Sequence, residues 1–343
     1  MTTGNRRWAQ RPPGSNWGDF GDDDQLGRLN LITPERRRAA AAEVLEGLSL
    51  CLSLPLDYPG GNALNPRRHP PRLRPTTRGG LPNWMFEVGS ETPDATDVMC
   101  DDMATIWLQY STQWDSLAHA GSSFDANGDG RPEPVFYNGF RGGIEIPKPE
   151  GSGESLASAT RALGIDTIAR HGVQGRGVLV DLRAHCGDAR EVVGYERLMS
   201  IVRADGVVVE PGDILCLHTG FSQRLLDWQG KPDPQAIHSI CATLDGRDQR
   251  LLQWITDSGI AALVADNYAV EQHPADKPPG RCATLPLHEH CLFKLGMPLG
   301  EIWYLTELAQ HLRTRGRSRF LLTAPPLRLP GAVGSPVTPI ATL

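Results

Sequence analysis

Five short apolar runs, at 105–110, 177–182, 213–217, 260–266 and 319–324, recur along the chain, with amphipathic helical patterns between several of them. Those patterns fall at 158–170, at 248–258, where Leu251, Leu252 and Ile255 share a face, and at 287–295. Strand-like runs interleaved with helices define an α/β chain. Because the runs are short and some follow one another without a helix, the pattern predicts a mixed, barrel-like sheet over a clean doubly wound one. No GxGxxG follows a strand and no GxxxxGK[ST] occurs, so dinucleotide-binding and P-loop chemistry lack their signatures.

Near the front, Thr33 is placed to cap a helix with Pro34 at its first position, and the Arg/Ala-rich run behind it stops at Gly47. The stretch 48–56 alternates apolar and small residues, the period of a strand with one buried face. Residues 58–95, rich in Pro, Gly and Arg, have no periodicity and read as an irregular excursion, a lid or an oligomer arm.

Charge and cysteine usage narrow the function. With 34 Lys plus Arg against 40 Asp plus Glu, the chain lacks the basic stripe of a nucleic-acid binder. No run of about 18 apolar residues occurs, and the polar start at 1–16 has no signal-peptide pattern, so neither a membrane span nor secretion is expected. Seven cysteines, an odd number without a CxxC pair, argue against a disulfide framework or a thiolate zinc site. A reducing, cytoplasmic setting is the simplest reading.

The stretch Gln109-Tyr110-Ser111-Thr112-Gln113-Trp114-Asp115-Ser116-Leu117-Ala118-His119 carries the chemistry. Its polar groups would emerge where the run at 105–108 ends, and on a continuing strand Gln109, Gln113 and Asp115 would share one face. A carboxylate and an imidazole so placed can bind a divalent cation, or act as a base with its orienting partner.

This stretch resembles the HxGTHxDxPxH hallmark of the cyclase family that includes kynurenine formamidases and isatin hydrolases. Thr112, Asp115 and His119 match; Gln109 and Gln113 stand where the two early histidines belong, Ser111 at the Gly and Leu117 at the Pro. Further likeness lies in Asn16-Trp17-Gly18-Asp19, Leu29-Asn30-Leu31-Ile32-Thr33-Pro34, Tyr137-Asn138-Gly139, His218-Thr219-Gly220, Ala265-Asp266-Asn267 and Leu285-Pro286-Leu287-His288. The resemblance implies a swivelling β/β/α fold of cyclase type, a single domain over 1–343 with an N-terminal arm at 1–33, and a homo-oligomer, dimer or tetramer. It also implies a hydrolase of non-peptide C–N bonds in an aryl formamide, lactam or cyclic imide, acting on a cyclic or aromatic small molecule. A biosynthetic cyclase, dehydratase or lactonase, and a non-catalytic ligand-binding relative, are the alternatives.

Carried over residue by residue, Asp115, His288 and Glu301 would hold a divalent metal with help from Gln113, and His119 would act as acid or base. A Gln amide oxygen is a weaker zinc ligand than imidazole but suits harder ions, so manganese or zinc is expected, or the metal is lost and Asp115 orients His119 as a metal-free base. Gln109, Trp114, Tyr137 and Asn138 are expected to touch substrate. His290, two residues from His288, is expected to face elsewhere. The segment Asp125-Ala126-Asn127-Gly128-Asp129-Gly130 copies half of a calcium loop, but Phe136 stands where a bidentate Glu is needed, so a turn is expected.

Overall fold

A computed structural model describes residues 6–150 and 159–343; position 158 of the helical pattern at 158–170 lies outside them. Nine strands form one curled mixed sheet in the order Ser49–Cys51, Ile340–Thr342, Arg319–Thr323, Gln174–Asp181, Ile214–His218, Ala262–Ala265, Leu299–Glu301, Gln113–Asp115 and Gly334–Pro336. Pairings from Gln174–Asp181 through Leu299–Glu301 are parallel, and the flanking ones are antiparallel. Four of the five apolar runs supply strands of this sheet.

The central strands are buried on both faces, which is why they read as continuous apolar runs. Val178, Val180, Leu215, Leu217, Leu263 and Leu299 enter one core layer, while Leu179, Cys216, Val264, Phe320 and Leu322 enter the other. Thr33 Oγ1 accepts from the Arg36 N–H and starts the helix Pro34–Ala41. Behind it Leu50, Leu52 and Leu54 are buried while Cys51 is exposed, as the alternation demands.

The run at 105–110 departs from expectation. The strand Asp102–Thr105 stops where that run begins, and the next strand starts only at Gln113. Asp102–Thr105 belongs to the excursion, which holds three short antiparallel pairs: Arg72–Pro75 with Asp102–Thr105, Thr77–Arg78 with Leu81–Pro82, and Phe86–Glu87 with Val98–Met99. Leu73, Leu81, Trp84 and Met85 of this arm are exposed.

The segment Glu289–Lys294 is a π-helix, whose loosened ladder leaves carbonyls to be satisfied from outside. The N-terminal segment does so. Trp17 Nε1 donates to Phe293 O at 2.8 Å, Asn16 N to Lys294 O at 3.2 Å and Asn16 Nδ2 to Leu295 O at 2.9 Å. Arg28 N donates to Gly296 O at 2.9 Å, and Gly27, at φ +56°, is the residue this approach requires, since a Cβ would sit 2.0 Å from that same oxygen.

Candidate active site

The strand Gln113–Asp115 lies antiparallel to Leu299–Glu301, with Gln113 opposite Glu301 and Asp115 opposite Leu299. Directly opposed residues share a face, so Gln113, Asp115 and Glu301 project together. Gly300 between them leaves room for Trp303, whose Nε1 would lie 2.9 Å from a Cβ there.

His288 reaches the same place from the short helix Pro286–His288. Its Nε2 is 3.2 Å from Glu301 Oε1 and 3.9 Å from Asp115 Oδ2. One ligand atom from each of Asp115, His288 and Glu301 lies within 4.8 Å of the others. All three side chains are buried, and both carboxylate oxygens of Asp115 lack a hydrogen-bond partner. Burying an unpaired carboxylate costs several kcal/mol, so this arrangement asks for positive charge. Burial drives the Asp115 carboxyl above the ordinary range, and neighbouring Glu301 adds to that rise against the opposing pull of His119, His288 and Arg68. Burial also opposes the ionised Glu301, yet its hydrogen bond to His288, the His288 charge and Arg68 hold it below the usual range.

Gln113 stands at the position of the motif's second histidine. With its amide nitrogen toward the backbone, it donates to Gln109 O at 2.6 Å and Ser111 O at 3.2 Å. That orientation leaves the amide oxygen beside Glu301 Oε2, at the position 3.3 Å from it. Two acceptor oxygens side by side are repulsive unless a cation lies between them. The donor set of two carboxylates, one imidazole and one amide oxygen therefore fits a divalent metal.

Glu271, which the sequence reading missed, positions the imidazole. Its carboxylate accepts from the backbone N–H groups of Leu287 and His288, at 2.9 and 3.0 Å, and Oε1 lies 2.8 Å from His288 Nδ1. Burial depresses His288, but the hydrogen bonds and charges of Glu271 and Glu301 prevail, and it is pushed up to about 10. The only advance signal was an acidic residue some distance ahead of the His288 turn, which no spacing rule picks out.

His119 lies at the rim. Its side chain is 23% exposed and Nε2 is 3.8 Å from Asp115 Oδ1, close enough for charge attraction but beyond hydrogen-bonding distance. His290 turns away, with Nε2 2.9 Å from Thr256 Oγ1, as expected.

Other expected contacts differ. Trp114, between Gln113 and Asp115, points to the opposite face, fully buried, with Nε1 donating to Ala324 O at 2.8 Å and its ring 5.0 Å from that of Trp303. The hydroxyl of Tyr137 donates to Asp24 Oδ2 at 3.1 Å, and Asn138 Nδ2 donates to the carbonyls of Gly21, Asp22 and Asp24. Both are buried and hold the N-terminal turn. Gln109 sits in the loop before the strand, so it does not share the face of Gln113; its carbonyl accepts from Arg68 Nη1 at 2.6 Å. Arg68 and Asn65, from the excursion, line a narrow gap of about 10 Å³ with Gln109, Tyr110, Tyr268 and Ile302, the residue after Glu301. The half calcium loop is a turn in which Asp125 accepts from the N–H groups of Gly128, Asp129 and Gly130.

A curled mixed sheet with an acid–imidazole cluster on its antiparallel flank defines a cyclase-type α/β protein. The chain belongs to the cyclase family, whose family model matches residues 52–272. It is 32% identical to a novel cyclase of known structure, over 97% of this chain and 100% of that one, with a TM-score of 0.73. Isatin hydrolase A of Ralstonia solanacearum (15% identity, 90% of this chain and 97% of that one, TM-score 0.54) and of Labrenzia aggregata bound to benzyl benzoate (13%, 88% and 94%, 0.53) share the fold. No curated protein matches the chain significantly. Among the described residues, no helix is long and apolar enough to cross a membrane.

Proposed function

We propose that the chain is a hydrolase of non-peptide C–N bonds, in an aryl formamide, lactam or cyclic imide, with a divalent cation held by Asp115, His288, Glu301 and Gln113. The observation that carries this reading is the pair of buried, unpartnered Asp115 oxygens facing an imidazole and a second carboxylate. Such a cation, when bound, supplies Lewis-acid polarisation of a carbonyl and lowers the pKa of water towards 7.

The residues divide the remaining work. Glu271 keeps a proton on His288 Nδ1, which leaves Nε2 as the ligating nitrogen. His119, partly exposed and beside the Asp115 charge, carries a proton from attacking water to the departing nitrogen, and Asp115 stabilises its imidazolium form. Gln109 and Arg68, the latter close enough for its charge to act on Asp115 and Glu301, contact a small cyclic or aromatic substrate. The exposed apolar residues of the 72–105 arm support assembly as a homo-oligomer, dimer or tetramer, and the free cysteines fit a cytoplasmic setting.

Metal analysis of purified protein, with amide hydrolysis measured before and after chelation, tests the reading. Stoichiometric manganese or zinc with chelator-sensitive turnover is the expected result, and His119→Ala should lower turnover by about 100-fold or more. Metal-free protein with full turnover would instead mean that His119 acts as an unassisted base. Neither metal nor turnover on an amide, lactone and imide panel would mean a ligand-binding relative.

A further inference from the structure

Thr112 matches the family motif as Asp115 and His119 do, but it offers the cluster no atom. It is fully buried, and its hydroxyl is used twice elsewhere. Oγ1 accepts the Leu54 N–H at 2.9 Å and donates to the carbonyl of Ile302 at 2.6 Å. A hydroxyl has one hydrogen to give, and here it goes to a residue 190 positions away in the chain.

Ile302 is an unusual residue to hold. Nine non-glycine residues among the described ones have positive φ, and of these only Val270 and Ile302 are β-branched. A β-branched side chain in the left-handed region crowds its own backbone, so it persists only where the surroundings fix it. Ile302, at φ +56°, follows Glu301 directly, and Val270, at +58°, directly precedes Glu271. The two strained positions thus adjoin the two carboxylates that meet the His288 ring, Glu301 at Nε2 and Glu271 at Nδ1.

Both polar groups of the Ile302 backbone are engaged. Its N–H donates to Asn267 O at 3.0 Å, and its carbonyl takes the Thr112 hydroxyl. The next residue ties back to the same stretch, since Trp303 Nε1 donates to Gln113 O at 3.0 Å. Without the hydroxyl, the Ile302 carbonyl becomes a buried acceptor with no partner, and residue 302 gains a reason to relax towards an extended conformation. The peptide between 301 and 302 turns with it, which swings Glu301 away from Gln113 and Asp115.

We propose that Thr112 is a positioning residue: its hydroxyl latches the left-handed Ile302 and thereby aims the Glu301 carboxylate into the cluster with Asp115 and His288, a role that rests on the metal-holding reading of that cluster. Serine keeps the latch; valine, of the same shape, removes it. A threonine that merely filled space would be replaced by valine with no effect on the ligands.

Cobalt(II) is the probe, titrated into the metal-free full-length protein and followed by its visible spectrum, which reports the ligand set. Thr112→Val should bind cobalt at least tenfold more weakly than the parent, with an altered spectrum, and Thr112→Ser should restore both, the affinity to within about threefold. Leu198→Ala, a truncation of a buried residue in the helix Tyr195–Ala204, should melt lower than the parent yet keep its affinity and spectrum. Parental affinity and spectrum in Thr112→Val, no rescue by Thr112→Ser, or an equal loss in Leu198→Ala would each overturn the proposal. If Thr112→Val does not fold, Thr112→Ala, which presses no methyl group on the freed carbonyl, is read in its place. If the parent itself binds no cobalt, the metal reading fails on its own, and the latch is judged on the metal-free fold. The stability losses of Thr112→Val and Glu301→Gln should then be less than additive in the double variant; simple additivity overturns the latch.

Discussion

One carboxylate oxygen of Glu271 meets both the backbone N–H and Nδ1 of His288, at 3.0 and 2.8 Å. The imidazole is therefore locked in direction, with Nε2 aimed at Asp115 and Glu301. Glu271→Gln keeps the shape but weakens the acceptor, and it should lower metal affinity about 10–100-fold while leaving the fold intact. Titration of the apoprotein with manganese or zinc reads this directly; unchanged affinity would remove Glu271 from the positioning role.

Gln113 occupies the strand position that faces Glu301. Replacing it by His supplies a neutral imidazole in place of an amide oxygen, and the preference should move from manganese towards zinc, with zinc affinity rising about tenfold or more. Competition between the two ions for Gln113→His and the parent decides it. The same relative affinities in both proteins would mean that residue 113 is not a ligand.

Trp114 lies between two site residues yet faces the other core layer. Trp114→Phe should cost roughly 2 kcal/mol of stability, through lost volume and the orphaned Ala324 carbonyl, and should leave KM unchanged. Urea unfolding and steady-state kinetics on one preparation separate the two effects. A large rise in KM at unchanged stability would return the ring to the substrate pocket.

Asp181 lies at the carboxyl end of its strand, 2.8 Å from His218 Nδ1 and paired with Arg313. Burial raises its carboxyl, but His218 and Arg313 outweigh that and the net direction is downward. A carboxyl depressed in the folded state stabilises the fold at pH values above its unfolded pKa of about 3.9, and that contribution fades as pH falls from there through the lower folded value. Asp181→Ala should cost about 3 kcal/mol at pH 7, and the gap between variant and parent should shrink below about pH 4. Unfolding free energies measured at pH 7, 5, 4 and 3 check the trend; a gap that widens in acid has the wrong sign.

Much of the scaffold was readable because period and burial coincide. The central strands are apolar through their middles and buried on both faces, so runs such as 213–217 and 260–266 read as internal strands. Of the site, Asp115, His288 and Glu301 followed from a family likeness, since nothing local to any of them signals that 115 meets 288 and 301. Trp114 was misassigned although its parity was available: a residue between Gln113 and Asp115 on a strand must face away from both. The run at 105–110 misled because apolar content without pairing does not make a strand, and the chain there is leaving the excursion instead. Glu271 stayed hidden because its role depends on a neighbour that only the fold brings to it.

The Trp17–Phe293 hydrogen bond ties together segments 276 residues apart, and the stretch it steadies follows directly on His288. A contact spanning so much chain closes only once most of the intervening fold is in place. Loosening that tie should therefore unseat the imidazole while the two carboxylates stay fixed by the pairing of their strands, so chemical competence is lost before the fold is.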